Sequence, residues 1–358
     1  MKLLWLAHRD PKHPRAGGAE RTIEEVSSRL SGMGYEITIL AAMWKGSKEF
    51  DTIGNVKIRR FGNNIFLHLF VPVFLVKNRF DIVINDLGHA VPWPSTSILR
   101  AKSIVFFRHL HARSLPGQVN RLLALVITSI ERCYFLIYPH SIFVTESTTS
   151  RSDLLRLGIS ETNIILNPPG VDLNRYNMSE KTGVPSIVYF GGFRRYKRPL
   201  EAVSIFEVIS KLLPEARFTF IGDGPELQNV KSGVGMYGIE EKTTFTGRID
   251  DVNLAKIVSQ SWLNVHTSIT EGWGLSIIEA SACGTPTVAY SVPGMVDTIE
   301  DGLNGIKVKD CDRGSFVNEA LSILKNPNPW QETSRKVAEK YSWDRTAAVW
   351  DKLIREVA

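Results

Sequence analysis

Residues 270–286 read TEGWGLSIIEASACGTP, and the interpretation of the whole chain turns on this stretch. It follows Trp262–His266, a run apolar enough for a buried strand, and it opens a segment near Leu275 that reads as a helix. Gly272 and Gly274 let the backbone approach a ligand closely and present unpaired amides. The positive end of a helix starting there is a natural seat for a diphosphate. Glu279 falls one turn further along, roughly 6 Å at ~1.5 Å per residue, which matches the reach from a phosphate to ribose hydroxyls. Glu271, in the loop itself, would point at whatever the phosphate carries. Two glutamates alone would as readily solvate a helix start. The two loop glycines, the strand before and the Gly-Thr-Pro break after favour a ligand.

Outward from this stretch, short apolar runs bounded by turn residues alternate with longer amphipathic segments. That alternation predicts parallel sheets covered by helices, an α/β fold. In the first half strands are expected at Lys2–His8, Glu36–Ala42, Val56–Phe61, Asp81–Asp86, Ser103–His109 and Ser141–Thr145, with little polar alternation, as for strands buried on both faces. Ala19–Met33 has helical apolar spacing and stops at glycines. Asn167–Ser186, rich in proline and glycine, reads as the connection between domains. Beyond it strands are expected at Ile187–Phe193, Arg217–Ile221, Thr243–Thr246, Trp262–His266, Thr287–Tyr290 and Gly305–Val308. The prediction is two Rossmann-like, doubly wound domains facing a cleft, with ligands at the carboxyl ends of the strands. Their bounds are 1–170 and 171–339.

The segment EGWGLSIIEASACGTPTVAYSVPGMVDTIEDGLNGIKV resembles the carboxyl-terminal signature of the retaining GT-B glycosyltransferases of family four. IGDGPE (Ile221–Glu226), FTGRI (Phe245–Ile249), NPPGVDLNRY (Asn167–Tyr176) and AGGAERTIEEVSSRL sit where that family places similar strings. The resemblance implies that Glu279 holds the donor ribose and that Glu271 contacts the donor sugar near its reacting carbon. It makes Gly272, Trp273, Gly274 and Leu275 part of the donor seat, with Trp273 standing where phenylalanine is more usual. In GGFRRYKRP (Gly191–Pro199), Lys197 corresponds to a cation that neutralises the diphosphate leaving group. The family's arginine position is Gly192 here, and Arg194 or Arg195 could reach the same phosphates instead. Gly17 and Gly18 resemble a loop that closes over the donor. His109 resembles a residue that contacts the transferring sugar, with His111 as the fallback and Arg108 a further candidate. The resemblance makes 1–170 the acceptor-binding domain and 171–339 the donor-binding one, and Asp86 and His89 are placed on the acceptor side. The resemblance also implies that a carboxyl-terminal helix, about 340–358 with Trp343 as an anchor, crosses back onto the first domain.

Composition narrows the rest. Cys133, Cys283 and Cys311 are far apart and odd in number, which argues against a disulfide framework and for a reducing cytoplasm. No convincing metal-ligand spacing appears, so no essential metal or other cofactor is expected beyond a nucleotide-sugar donor substrate. The net charge of +6 is not gathered into an aromatic-laced stripe, which argues against nucleic acid as a partner. Residues 65–76 and 122–138 are apolar but too short or interrupted to span a bilayer. Two readings of them stay open: buried core helices, or peripheral contact with the cytoplasmic face of a membrane. The expected acceptor is a sugar, a glycan, a lipid-linked or polysaccharide precursor, or a small molecule. The rival functions are a nucleotide-sugar epimerase of the same fold and a non-catalytic sugar-nucleotide-binding protein.

Overall fold

A computed structural model describes residues 1–115 and 119–358. The chain divides into two compact units, Met1–Gly170 together with Trp343–Ala358, and Val171–Ser342.

The first unit is built on β1 (Lys2–Leu6), β2 (Glu36–Ala41), β3 (Phe50–Ile53), β4 (Val56–Arg60), β5 (Ile82–Asp86), β6 (Ser103–Phe107), β7 (Ile142–Thr145) and β8 (Ile164–Leu166). They form one sheet of order β3-β4-β2-β1-β5-β6-β7-β8, parallel except for the β3–β4 edge pair. β1 shows why its strands are apolar throughout. Leu3 and Trp5 enter a core with Ile23, Val26 and Leu30 of the Gly18–Gly32 helix. Leu4 and Leu6 enter the opposite core with Leu67, Val71 and Phe74 of the Asn64–Lys77 helix. Truncating either set to alanine would cost about 2–5 kcal/mol per leucine.

The Trp343–Val357 helix belongs to this unit because Trp350 packs against Trp5 and Phe106, with ring centroids 5.5 and 5.1 Å apart. Trp343 is buried at the helix start, but the ring in the central core is that of Trp350.

The second unit carries β9 (Ser186–Phe190), β10 (Arg217–Ile221), β11 (Thr243–Gly247), β12 (Leu263–His266), β13 (Thr287–Tyr290) and β14 (Gly305–Val308). Its sheet is all parallel, of order β11-β10-β9-β12-β13-β14. The chain lays β10 and β11 on one side of β9, then returns to lay β12 on the other. Loops that leave the carboxyl ends of β9 and β12 therefore flank a topological switch point, the usual ligand position in such sheets. Much of the expected inter-domain connector is part of this unit's packing. Val171 and Tyr176 are buried in its core, and Arg335 Nη1 donates to the Tyr176 carbonyl at 2.6 Å.

Candidate active site

In the second unit, four loops leave neighbouring strands at their carboxyl ends. Residues 191–198 follow β9, 222–226 follow β10, 267–274 follow β12 and 291–294 follow β13. The first two are joined by backbone bonds, Phe193 N to Asp223 O at 2.9 Å and Glu226 N to Phe193 O at 3.0 Å. The last two are joined by Glu271 N to Pro293 O at 2.9 Å. Gly294 is required at that junction. Its φ is +83°, and a Cβ there would lie 2.4 Å from the Glu271 carbonyl oxygen.

These loops bring Lys197 and Glu271 together at the switch point. Lys197 Nζ donates to Glu271 Oε1 at 2.7 Å, with the side chains 18 % and 14 % exposed. Ser268 Oγ donates to the same oxygen at 2.8 Å, and His266 Nε2 lies 3.9 Å from it. Among the described residues no hydrogen-bond partner reaches Oε2, so one carboxylate oxygen is anchored and the other is available. Burial pushes the Glu271 carboxyl up, but Lys197, His266 and Ser268 outweigh it and hold the group below its ordinary range. Burial alone would lower the Lys197 ammonium; Glu271 more than reverses this and raises it. His266 is driven down to about 4, chiefly by burial, so it is neutral beside a charged pair at neutral pH.

Three residues after Glu271, Gly274 starts the Leu275–Ala282 helix in left-handed backbone, φ +91°. No side chain caps this helix and no acid lies in its first turn. Its positive end is thus uncompensated by the protein. Glu279 sits one turn on, 9 % exposed, at the edge of the helix's buried face. Gly272 is half-buried in the loop, whereas Trp273 turns inward. Its ring meets Tyr341 edge-on at 5.2 Å, and it packs with Ile278 and Cys283. Trp273 therefore anchors the loop from beneath, and Leu275 packs against the same cluster.

The arginines of the 191–198 loop separate clearly. A Cβ built on Gly192 would lie 3.6 Å from Arg194 Nε, so Arg194 folds back over the glycine. Arg195 is exposed and lines a separate depression with Arg198, Glu201, Glu226 and Asn229. Arg198 was not singled out from sequence. In left-handed backbone (φ +46°), its Nε donates to Thr267 O at 2.7 Å and its Nη2 to Ser268 O at 3.1 Å, holding the strand-end loop that carries Glu271. Ser268 was also passed over, although a Ser three residues before a loop glutamate is a readable signal. So was the triplet Asp310-Cys311-Asp312, whose carboxylates bond Arg198 and cap the Arg313–Lys325 helix. Among the described residues no group of acids, histidines and cysteines is arranged to hold a metal ion.

In the first unit, Gly17 is the N-cap of its helix, and its amide donates to Glu20 Oε2 at 2.8 Å. Gly17 and Gly18 are exposed. His109 is half-buried just beyond β6, its ring 4.7 Å from that of His111. His111 is committed to the scaffold, with Nδ1 3.1 Å from Glu131 Oε1 and Nε2 3.2 Å from the Gly88 carbonyl. Arg108 is buried rather than presented at the strand end. It bonds Asp86 at 2.8 Å, Glu146 at 2.5 Å and the Ala19 carbonyl at 3.1 Å, tying β5, β6 and β7 to the glycine loop. Asp86 is consumed by the same network and by Gly88 N at 2.9 Å, which removes it from the acceptor side. The His89 ring lies tilted against that of His8, with centroids 4.7 Å apart.

Comparison with known proteins agrees with this architecture. Residues 16–175 match the family described as Glycosyltransferase Family 4, and residues 173–342 match Glycosyl transferases group 1. The chain is 25 % identical over 354 residues to the GDP-mannose-dependent alpha-(1-6)-phosphatidylinositol monomannoside mannosyltransferase of Mycolicibacterium smegmatis, spanning 88 % of this chain and 87 % of that one. Its fold superposes on sucrose-phosphate synthase of Thermosynechococcus elongatus with a TM-score of 0.86 at 18 % identity, covering 99 % and 98 % of the two chains. A protein of Anabaena solved in complex with UDP and glucose superposes with a TM-score of 0.78 at 15 % identity, over 99 % and 100 %. With both halves matched in order along the chain, this protein belongs to glycosyltransferase family 4 and is a glycosyltransferase of the GT-B fold.

Proposed function

We propose that the protein transfers a hexose-type sugar from a nucleotide-diphosphate sugar to a sugar, glycan, lipid-linked or small-molecule acceptor, with retention of anomeric configuration. The observation that carries this reading is the Lys197–Glu271 pair at the switch point, beside an uncapped helix start. The diphosphate sits on the amides that begin the Leu275–Ala282 helix, with Lys197 and Arg194 as its cations. Glu279 accepts hydrogen bonds from the ribose. Glu271, held by Lys197 and Ser268 through Oε1, offers Oε2 to hydroxyls of the donor sugar. In the first unit, His109 is assigned to the transferring sugar and Gly17–Gly18 to the donor. The reading gives Glu271 the role of an oriented hydrogen-bond acceptor rather than a covalent nucleophile, and takes the step as a front-face displacement. The bond from the anomeric carbon to the phosphate oxygen breaks, the bond to the acceptor oxygen forms, and the acceptor proton passes to the departing phosphate. The reading assigns charge neutralisation to side chains and amides and requires no essential metal.

Thermal-shift titration with UDP-, GDP- and ADP-sugars tests it. Stabilisation by one of them is expected, and no shift with any would overturn the donor site. Conversion of that donor without an acceptor would point to an epimerase, and binding without any turnover would point to a non-catalytic protein.

A further inference from the structure

The Asn64–Lys77 helix, NIFLHLFVPVFLVK, is apolar on every side, a pattern ordinarily found only where a helix is covered all round. Here one side is covered. Leu67, Val71 and Phe74 are buried in the core beneath, while Ile65, Leu69, Val73 and Val76 lie 73, 67, 48 and 72 % exposed. Their spacing of four, four and three residues makes one continuous outward stripe. The Arg121–Arg132 helix repeats the anomaly, with Leu122 and Leu125 73 and 64 % exposed and only Glu131 buried. Ile98, at the end of the short Pro94–Ile98 helix, is 77 % exposed. All three segments cover the same face of the sheet. Leu67, Val71, Trp93 and Tyr134 share one core there, with Ile130 packed against it, so what the segments leave uncovered points away from that face.

Charge identifies the occupant. Residues 64–80, 94–102 and 120–140 together contain one acid, Glu131, which is buried against His111. The same segments present Lys77, Arg79, Arg100, Arg121 and Arg132 on the surface. None of these five pairs with an Asp or Glu side chain among the described residues. A second copy of the chain would bring the same cations against one another in a two-fold interface. A surface of apolar side chains fringed by cations without acidic side-chain partners instead matches lipid acyl chains beneath anionic headgroups. Among the described residues no helix is long and apolar enough to cross a membrane, so the contact would be peripheral.

We propose that this face of the first unit docks flat on an anionic phospholipid bilayer, with the Ile65–Leu69–Val73–Val76 stripe in the acyl boundary and the surrounding cations at the headgroup phosphates. The inference stands independently of the donor-site reading, since its residues lie in the other unit. The test is co-sedimentation of the full chain with vesicles of phosphatidylcholine alone or mixed with phosphatidylglycerol. Binding to the mixed vesicles and not to phosphatidylcholine alone is expected, weakening as salt is raised. Leu69→Glu with Val73→Glu should cut the bound fraction about tenfold or more while leaving nucleotide-induced thermal shifts unchanged. Lys77→Gln with Arg132→Gln, which touches no core, should also lower binding and covers the case in which the first variant fails to fold. Absence of binding to anionic vesicles, or native binding by both variants, would overturn the proposal. So would a lipid-free dimer that the Leu69 and Val73 changes dissociate, which would make a second copy the occupant.

Discussion

Arg194 lies over Gly192, its Nε 3.6 Å from where a side chain on that glycine would begin. A residue two positions later thus lies where a side chain on Gly192 would begin. Among the described residues its guanidinium takes no carboxylate partner, and it acts on Lys197 as a like charge. Arg194→Ala should weaken nucleoside-diphosphate binding roughly 10- to 100-fold, the loss of one charge-assisted hydrogen bond. Arg195→Ala should change it by less than about threefold, as expected of an exposed side chain. Calorimetric titration of both variants decides the matter, and the reverse ranking would assign the second cation to Arg195.

The two glutamates of EGWGLSIIE should fail differently. Glu279→Ala is expected to weaken nucleotide binding about 10-fold or more, as a ribose contact. Glu271→Gln should leave nucleoside-diphosphate binding within about threefold while lowering kcat by roughly a hundredfold, since its interaction with the sugar matters most in the transition state. Equal loss of binding in both variants would contradict these roles.

Gly294 offers a test of how the site is built. Gly294→Ala drives a Cβ to 2.4 Å from the Glu271 carbonyl in left-handed backbone, so backbone must move. A loss of roughly 2 kcal/mol or more is expected in urea unfolding, with activity falling further because Glu271 is displaced. Gly302→Ala shares a positive φ (+78°) but meets nothing within 4 Å, and should cost only about 1 kcal/mol.

His266 supplies a pH signature. Its folded value of about 4 lies below the ordinary 6.5, so between these the unfolded chain binds a proton that the folded chain refuses. Stability is full above about pH 6.5 and falls as pH drops toward 4, by on the order of 3 kcal/mol at most. His266→Asn should flatten this part of the stability profile relative to the parent chain. An unchanged slope would remove His266 from the account.

Much of this was legible in sequence, for physical reasons that differ by element. Doubly buried strands such as KLLWL announce themselves because both faces must be apolar, and the EGWG loop does so because glycine, strand and helix start coincide. β3, FDTI, was not legible. It is an antiparallel edge strand with no fully buried residue, held by backbone pairing to β4 rather than by a core. Arg108 and Asp86 looked like strand-end ligands because sequence cannot say whether a charge faces outward or pairs inward. The Asn64–Lys77 helix left two readings open for a related cause. Its composition is that of a core helix, and only the packing reveals that one side has nothing over it.

The central claim is retaining transfer at the Lys197–Glu271 site, and proton NMR of the reacting mixture tests it most directly. With the nucleotide sugar that stabilises the protein and a competent acceptor, the first-formed product should show the donor's anomeric configuration, and Glu271→Gln should slow its appearance roughly a hundredfold while still binding nucleotide. A product of opposite configuration, or undiminished turnover by the variant, would contradict the account.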